Sequence, residues 1–174
     1  MKNHLCYMGL RLMKAPIVLL RFSKSIFLVC GIWLIGLGGY FMFARPALLP
    51  EDLRYLGLSA IQVETFVPNL ASWLRNVFTV MGGFMAGGGV LIVFVSMRAV
   101  KQCIAGTGTA LGLVGLLTVA TMSYTNFVPD SGFKWLLLIP AVAWLLGLVS
   151  YVVGKMAEYA IATDPQTNVN APGE

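Results

Sequence analysis

The sequence predicts an all-α fold: an integral membrane antiparallel four-helix bundle with short interfacial helices in its first outer loop. Three observations predict it. Four stretches, 26–44, 77–97, 103–127 and 135–154, contain no Lys, Arg, Asp, Glu or His. Each reaches the length of about 20 mostly apolar residues that a spanning helix needs, and each avoids the roughly 2.5 to 3.5 kcal/mol that one charge at mid-membrane costs. The composition agrees, with 58% hydrophobic and 11% charged residues in a chain of 174. The basic residues then alternate in density from one connection to the next. Lys2, Arg11, Lys14, Arg21, Lys24, Arg98, Lys101 and Lys155 fall on one side, and Arg45, Arg54, Arg75 and Lys134 on the other. The positive-inside rule places the first side, with both termini, in the cytoplasm. The net charge of +5 follows this topology, and nucleic acid is not an expected partner.

The N-terminal segment 5–20 alternates apolar residues with Arg11 and Lys14, the pattern of a stretch lying on an anionic leaflet. The apolar run after it is longer than the 7 to 15 residues of a signal h-region, so it reads as a first span and not a cleaved leader. In the outer loop 45–76, Pro50, Glu51 and Asp52 have the residue types of a helix first turn, and Gly57 ends that helix. Ile61, Val63, Phe66 and Val67 form a second short helix before the break at Pro68 and Asn69. Trp73 then stands at interfacial depth at the entry to the second span.

Glycine is the ordered feature inside the spans. Gly83 and Gly87 form G-x-x-x-G in the second, Gly108 and Gly112 repeat it in the third, and Ala143, Gly147, Ser150 and Gly154 share one face of the fourth. Small residues at this spacing let helix backbones approach in lipid, so Gly83, Gly87, Gly108, Gly112 and Gly147 are the expected packing positions. Pro140 is expected to kink the fourth span. Thr118, Thr121 and Thr125 form a hydroxyl-bearing face whose ordinary role is bonding to carbonyls of its own helix. The segment 1–162 is one membrane domain, and the polar tail 163–174 is expected to be disordered and cytoplasmic.

The spans carry no ionisable group for a proton relay, general base or metal site. Cys6, Cys30 and Cys103 contain no C-x-x-C and read as small packing residues, and the one histidine, His4, excludes bis-histidine sites. No cofactor is expected. Recognition is therefore expected in the outer loop, with Arg75, Trp73, Arg54 and Tyr55 as candidate ligand or partner contacts and Arg75 as a fixed positive group for an anionic amphiphile or a partner helix.

The order of basic N-terminus, span, Pro-initiated short helix and the run Leu74, Arg75, Asn76, Val77, Phe78, Thr79, Val80, Met81, Gly82, Gly83 resembles small bacterial four-span proteins of the DoxX-like group, most specifically over 75–89. The resemblance implies an antiparallel four-helix bundle in a bacterial inner membrane. The related vitamin K epoxide reductase type uses a cysteine pair and the sterol-isomerase-like type uses acidic residues in the bundle; this chain has neither. The function expected is non-enzymatic: an accessory or structural subunit, or a module binding membrane lipid, another membrane subunit or a second copy. The alternative is a small uncoupled transporter or lipophile-handling protein.

Overall fold

The computed structural model describes the backbone of residues 2–100, 102 and 104–163 and, within that range, the side chains from Pro16 onward except Ala162. Helix is the only regular structure among these residues. Helix α1 spans Lys2–Phe43, α2 Pro50–Leu56, α3 Ala60–Phe66, α4 Leu70–Val95, α5 Thr107–Gly115, α6 Thr121–Phe127 and α7 Lys134–Ala162. A π-helical turn, Ser96–Val100, extends α4, and another, Leu116–Ala120, joins α5 to α6. Four helical segments are long and apolar enough to cross a membrane: Pro16–Phe43, Leu70–Val100, Thr107–Phe127 and Lys134–Ile161. The first, second and fourth run past their charge-free stretches at one or both ends, because those helices continue through flanking residues such as Arg21, Arg75 and Lys155, whose long stems let the charge reach polar surroundings. The third starts inside its stretch, at Thr107.

Segment 5–20 is helical and joins the first span without a break, since α1 is continuous from Lys2 through Pro16 to Phe43. Leu19, Leu20 and Arg21 are good helix formers, and Ser25, a residue type that can cap a helix, instead bonds back to the Arg21 carbonyl within the continuing helix. Cys6, Cys103, His4 and, past Thr163, the polar tail lie outside the described side chains.

The connection between α1 and α4 folds by local chemistry. Pro50 occupies the first turn of α2, and the Asp52 carboxylate accepts the Leu49 N–H at 2.9 Å. Gly57 closes α2 with φ of 66°. Ser59 and Gln62 cap α3 reciprocally, with bonds of 3.2 and 2.8 Å. Asn69, at φ of 75°, turns the chain into α4.

Helix α1 is central and lies against both α4 and α7, while the α5–α6 segment leans on α7. The shared core is Phe27, Cys30, Leu34, Ile92, Val100, Leu111, Val119, Trp144 and Tyr151. Large apolar side chains such as Phe43 and Phe84, about four-fifths exposed, point outward, as a lipid-facing surface requires. Glycine sets the α1–α4 approach. A Cβ at Gly82 would come within 2.5 Å of the Gly38 carbonyl oxygen, and one at Gly89 within 2.6 Å of the Gly31 carbonyl oxygen. Gly83 and Gly87 have open space around them, so the G-x-x-x-G pair does not form this contact. The pairs that do are Gly31 with Gly38 and Gly82 with Gly89, each seven residues apart and therefore on one face of its helix. Gly108 and Gly112 lie against Tyr151 and Leu148, and Gly147 against Ile26 and Phe27.

Candidate functional site: a cavity beneath α2

Because the α5–α6 segment makes no extended contact with α1 or α4 among the described residues, a cleft remains at the α2 end of the helices. It holds a cavity of about 580 Å³. Val29, Ile32, Trp33, Leu37 and Tyr40 of α1 form one wall, Met122 and Asn126 of α6 with Leu136 and Leu137 of α7 form the other, and Glu51 and Asp52 of α2 form the lid. A second cavity of about 440 Å³ lies between α4 and α6, lined by Leu74, Phe78, Thr125 and Val128. Asp52 and Pro129 border both, so α2 separates them.

The polar groups gather at the lid. Arg45, two residues past α1, has a side chain only 11% exposed and pairs with Asp52 at 3.4 Å. Its guanidinium lies 3.6 Å from the Phe78 ring centroid and 5.3 Å from that of Phe41, so its faces are occupied by aromatic carbon. Asp52 thus serves both the α2 cap and Arg45. Glu51 accepts a hydrogen bond from the Ser131 hydroxyl at 3.2 Å, and Ser131 in turn accepts the Phe133 N–H at 3.2 Å, which ties α2 to the turn before α7. Asn126 donates its amide to the Met122 carbonyl at 2.8 Å. On the same turn Asp130 pairs with Lys134; that hydrogen bond first, then the charge of Lys134, and more weakly that of Arg54, holds the Asp130 carboxyl below its ordinary range.

The residues expected to form a contact site fall elsewhere. Arg75 is exposed and lines neither cavity; its carbonyl accepts the Thr79 hydroxyl at 2.9 Å. Trp73 is 61% exposed, Arg54 is exposed, and only Tyr55 borders a cavity, the second one. The fixed positive group at the cavity is Arg45, not Arg75. Arg75 sits one turn into α4 on an outward face, whereas Arg45 follows the end of α1, where the chain turns back over the bundle. The threonine face has its ordinary use: Thr118, Thr121 and Thr125 bond the carbonyls of Val114, Leu116 and Met122. Tyr40, Glu51, Asn126 and Ser131 had no sequence signal as site residues; Glu51 and Asp52 were legible only as helix-start carboxylates.

An elongated apolar cavity with a few convergent polar groups at one end is the form of a ligand-binding site. Among the described residues, no three His, Cys, Asp or Glu side chains group to hold a metal ion. Comparison with known proteins returns no matching family model, no matching curated protein and no matching solved structure.

Proposed function

We propose that this chain is a multi-pass protein of a bacterial inner membrane, with DoxX-like layout, whose work is to bind a lipophilic small molecule or lipid and not to transform one. The cavity beneath α2 is the observation that carries this reading, since its volume falls within the roughly 300 to 1,000 Å³ range of small-molecule sites. The glycine pairings Gly31 with Gly89 and Gly38 with Gly82 support an antiparallel bundle, and the distribution of basic residues supports cytoplasmic termini with α2 and α3 on the outer surface. Binding is favoured over passage because the bundle on the far side of Val29 is filled by the buried Phe27, Val100 and Tyr151.

The test uses the full chain in phosphatidylcholine nanodiscs with uncharged diphenylhexatriene as the probe. Energy transfer arises from all four tryptophans, so its saturable part that Gly36→Phe removes is what reports occupancy beside Trp33. Gly36 lines the cavity and has open space where a Cβ would go, so Gly36→Phe fills the site without meeting backbone. The parent is expected to show a saturable component that Gly36→Phe abolishes at unchanged melting temperature. Saturable transfer of equal size in both, or none in the parent, overturns the reading.

A further inference from the structure

We infer that the occupant of the cavity beneath α2 is an amphiphile with a single cationic head, seated with its head at Glu51 and its apolar body along α1. The inference rests on the binding reading above and adds the chemical class of the ligand. Its first support is charge. Three ionised side chains border the cavity, Arg45, Glu51 and Asp52. Arg45 and Asp52 satisfy each other, and Phe78 covers the guanidinium at 3.6 Å. Nearby Lys134 is engaged by Asp130, and Arg54 is exposed and outside the lining. Glu51 belongs to neither ion pair; its bonded partner is the neutral Ser131 hydroxyl, which leaves carboxylate acceptor capacity facing the cavity. An anion placed there would meet a net negative rim, whereas a cationic head would meet the carboxylate of Glu51 directly.

The second support is shape and wall chemistry. From Val29 to Phe41 the α1 wall runs about 18 Å at 1.5 Å per residue, the reach of an extended chain or fused rod. Tyr40 and Phe133 border the lid end, and an ammonium beside Glu51 lies in reach of aromatic faces, which favour cations over anions. Trp33 and Leu136, both partly exposed, leave the apolar part of the cavity open sideways, so an amphiphile enters from the bilayer and keeps its head at the polar end.

The trimethylammonium, uncharged and carboxylate forms of diphenylhexatriene share one rod and differ at the head. Titrated into the full chain in phosphatidylcholine nanodiscs, the trimethylammonium form is expected to half-saturate tryptophan transfer at a concentration about tenfold below that of the carboxylate form, the equivalent of about 1.4 kcal/mol. Glu51→Gln keeps an acceptor for Ser131 and is expected to bring the two charged probes within about twofold of each other, while the uncharged probe and the melting temperature stay as in the parent. If all three forms bind alike and Gly36→Phe removes them alike, the cavity binds lipophiles but the cationic assignment is wrong. A preference of the parent for the carboxylate form overturns it without recourse to any variant. Absence of any saturable, Gly36→Phe-sensitive component overturns both this inference and the function beneath it.

Discussion

At the scale of single residues, the glycines divide by what surrounds them and not by motif. A methyl group at Gly38 would lie 2.6 Å from the Ala86 nitrogen, and one at Gly89 would lie 2.6 Å from the Gly31 carbonyl oxygen, and backbone cannot step aside as a side-chain tip can. Gly38→Ala and Gly89→Ala are each expected to lower stability in detergent by about 1 to 3 kcal/mol, the usual cost of overpacking, read as a depressed melting temperature. Gly83→Ala and Gly87→Ala meet nothing within 4 Å and are expected to melt at or above the parent, because alanine is up to about 1 kcal/mol the better helix former. A reversal of that order would mean that α4 presents its G-x-x-x-G face to α1. The stretch Gly82, Gly83, Gly87, Gly88, Gly89 offers several small faces, and nothing within α4 selects among them. The contact is set with the partner: Gly31 and Gly38 have the same separation as Gly82 and Gly89, but other glycine intervals match as well, among them Gly31 to Gly36 with Gly82 to Gly87, so only the packed structure selects the face.

At the scale of elements, α2 is a seven-residue helix with no buried residue, too short to persist on propensity. What holds it is the Arg45 to Asp52 pair at one side and the Ser131 to Glu51 bond at the other. Arg45→Ala removes the ion pair and the stacking on Phe78 together, and leaves Asp52 with only its capping role toward the Leu49 N–H. The pair is partly buried, so the loss is expected to be about 1 to 3 kcal/mol, concentrated in α2. Hydrogen–deuterium exchange should then quicken by one to two powers of ten across Pro50–Leu56 while α1 and α7 keep the protection of the parent. Uniform loss of protection along α1 would assign Arg45 to the bundle and not to the lid. The short helices were legible because Pro50, Asp52 and Gly57 are local signals acting within a turn and Ile61, Val63, Phe66 and Val67 run up to the break at Pro68 and Asn69, while the Ser59 to Gln62 capping box went unread. The site was not, because the pairing of Arg45 with Asp52 crosses an irregular bend between α1 and α2, and no periodicity describes a bend. Arg75 drew attention by being a lone cation at the start of a span. Its surroundings, not its type, decide its role.

At the scale of the whole molecule, the four spanning segments were legible because the bilayer imposes one rule on every residue within it: no unpaired charge, and all backbone groups bonded within the helix. Arrangement obeys weaker rules, and the open cleft between α1 and the α5–α6 segment has no counterpart in composition. Orientation, by contrast, rests on charge. In the proposed topology the termini share a side, and the positive-inside rule favours the cytoplasm for the side carrying Lys2, Arg11, Lys14, Arg21, Lys24, Arg98, Lys101 and Lys155 over the side carrying Arg45, Arg54, Arg75 and Lys134. The outer four are further reduced in effect, because Arg45 and Lys134 are paired with Asp52 and Asp130. On the proposed topology the cavity and its lid face the outer leaflet, the side from which a cationic amphiphile would be drawn. A reporter active only outside the cytoplasm is expected to work when inserted at α3, which is exposed except for Val63, and to be silent when fused after Thr163. The opposite pattern would turn the lid toward the cytoplasm and leave Glu51 facing the anionic inner leaflet. A reporter active at both sites would mean an even number of crossings between them, and one of the three long helical segments after α3 would have to lie outside the membrane.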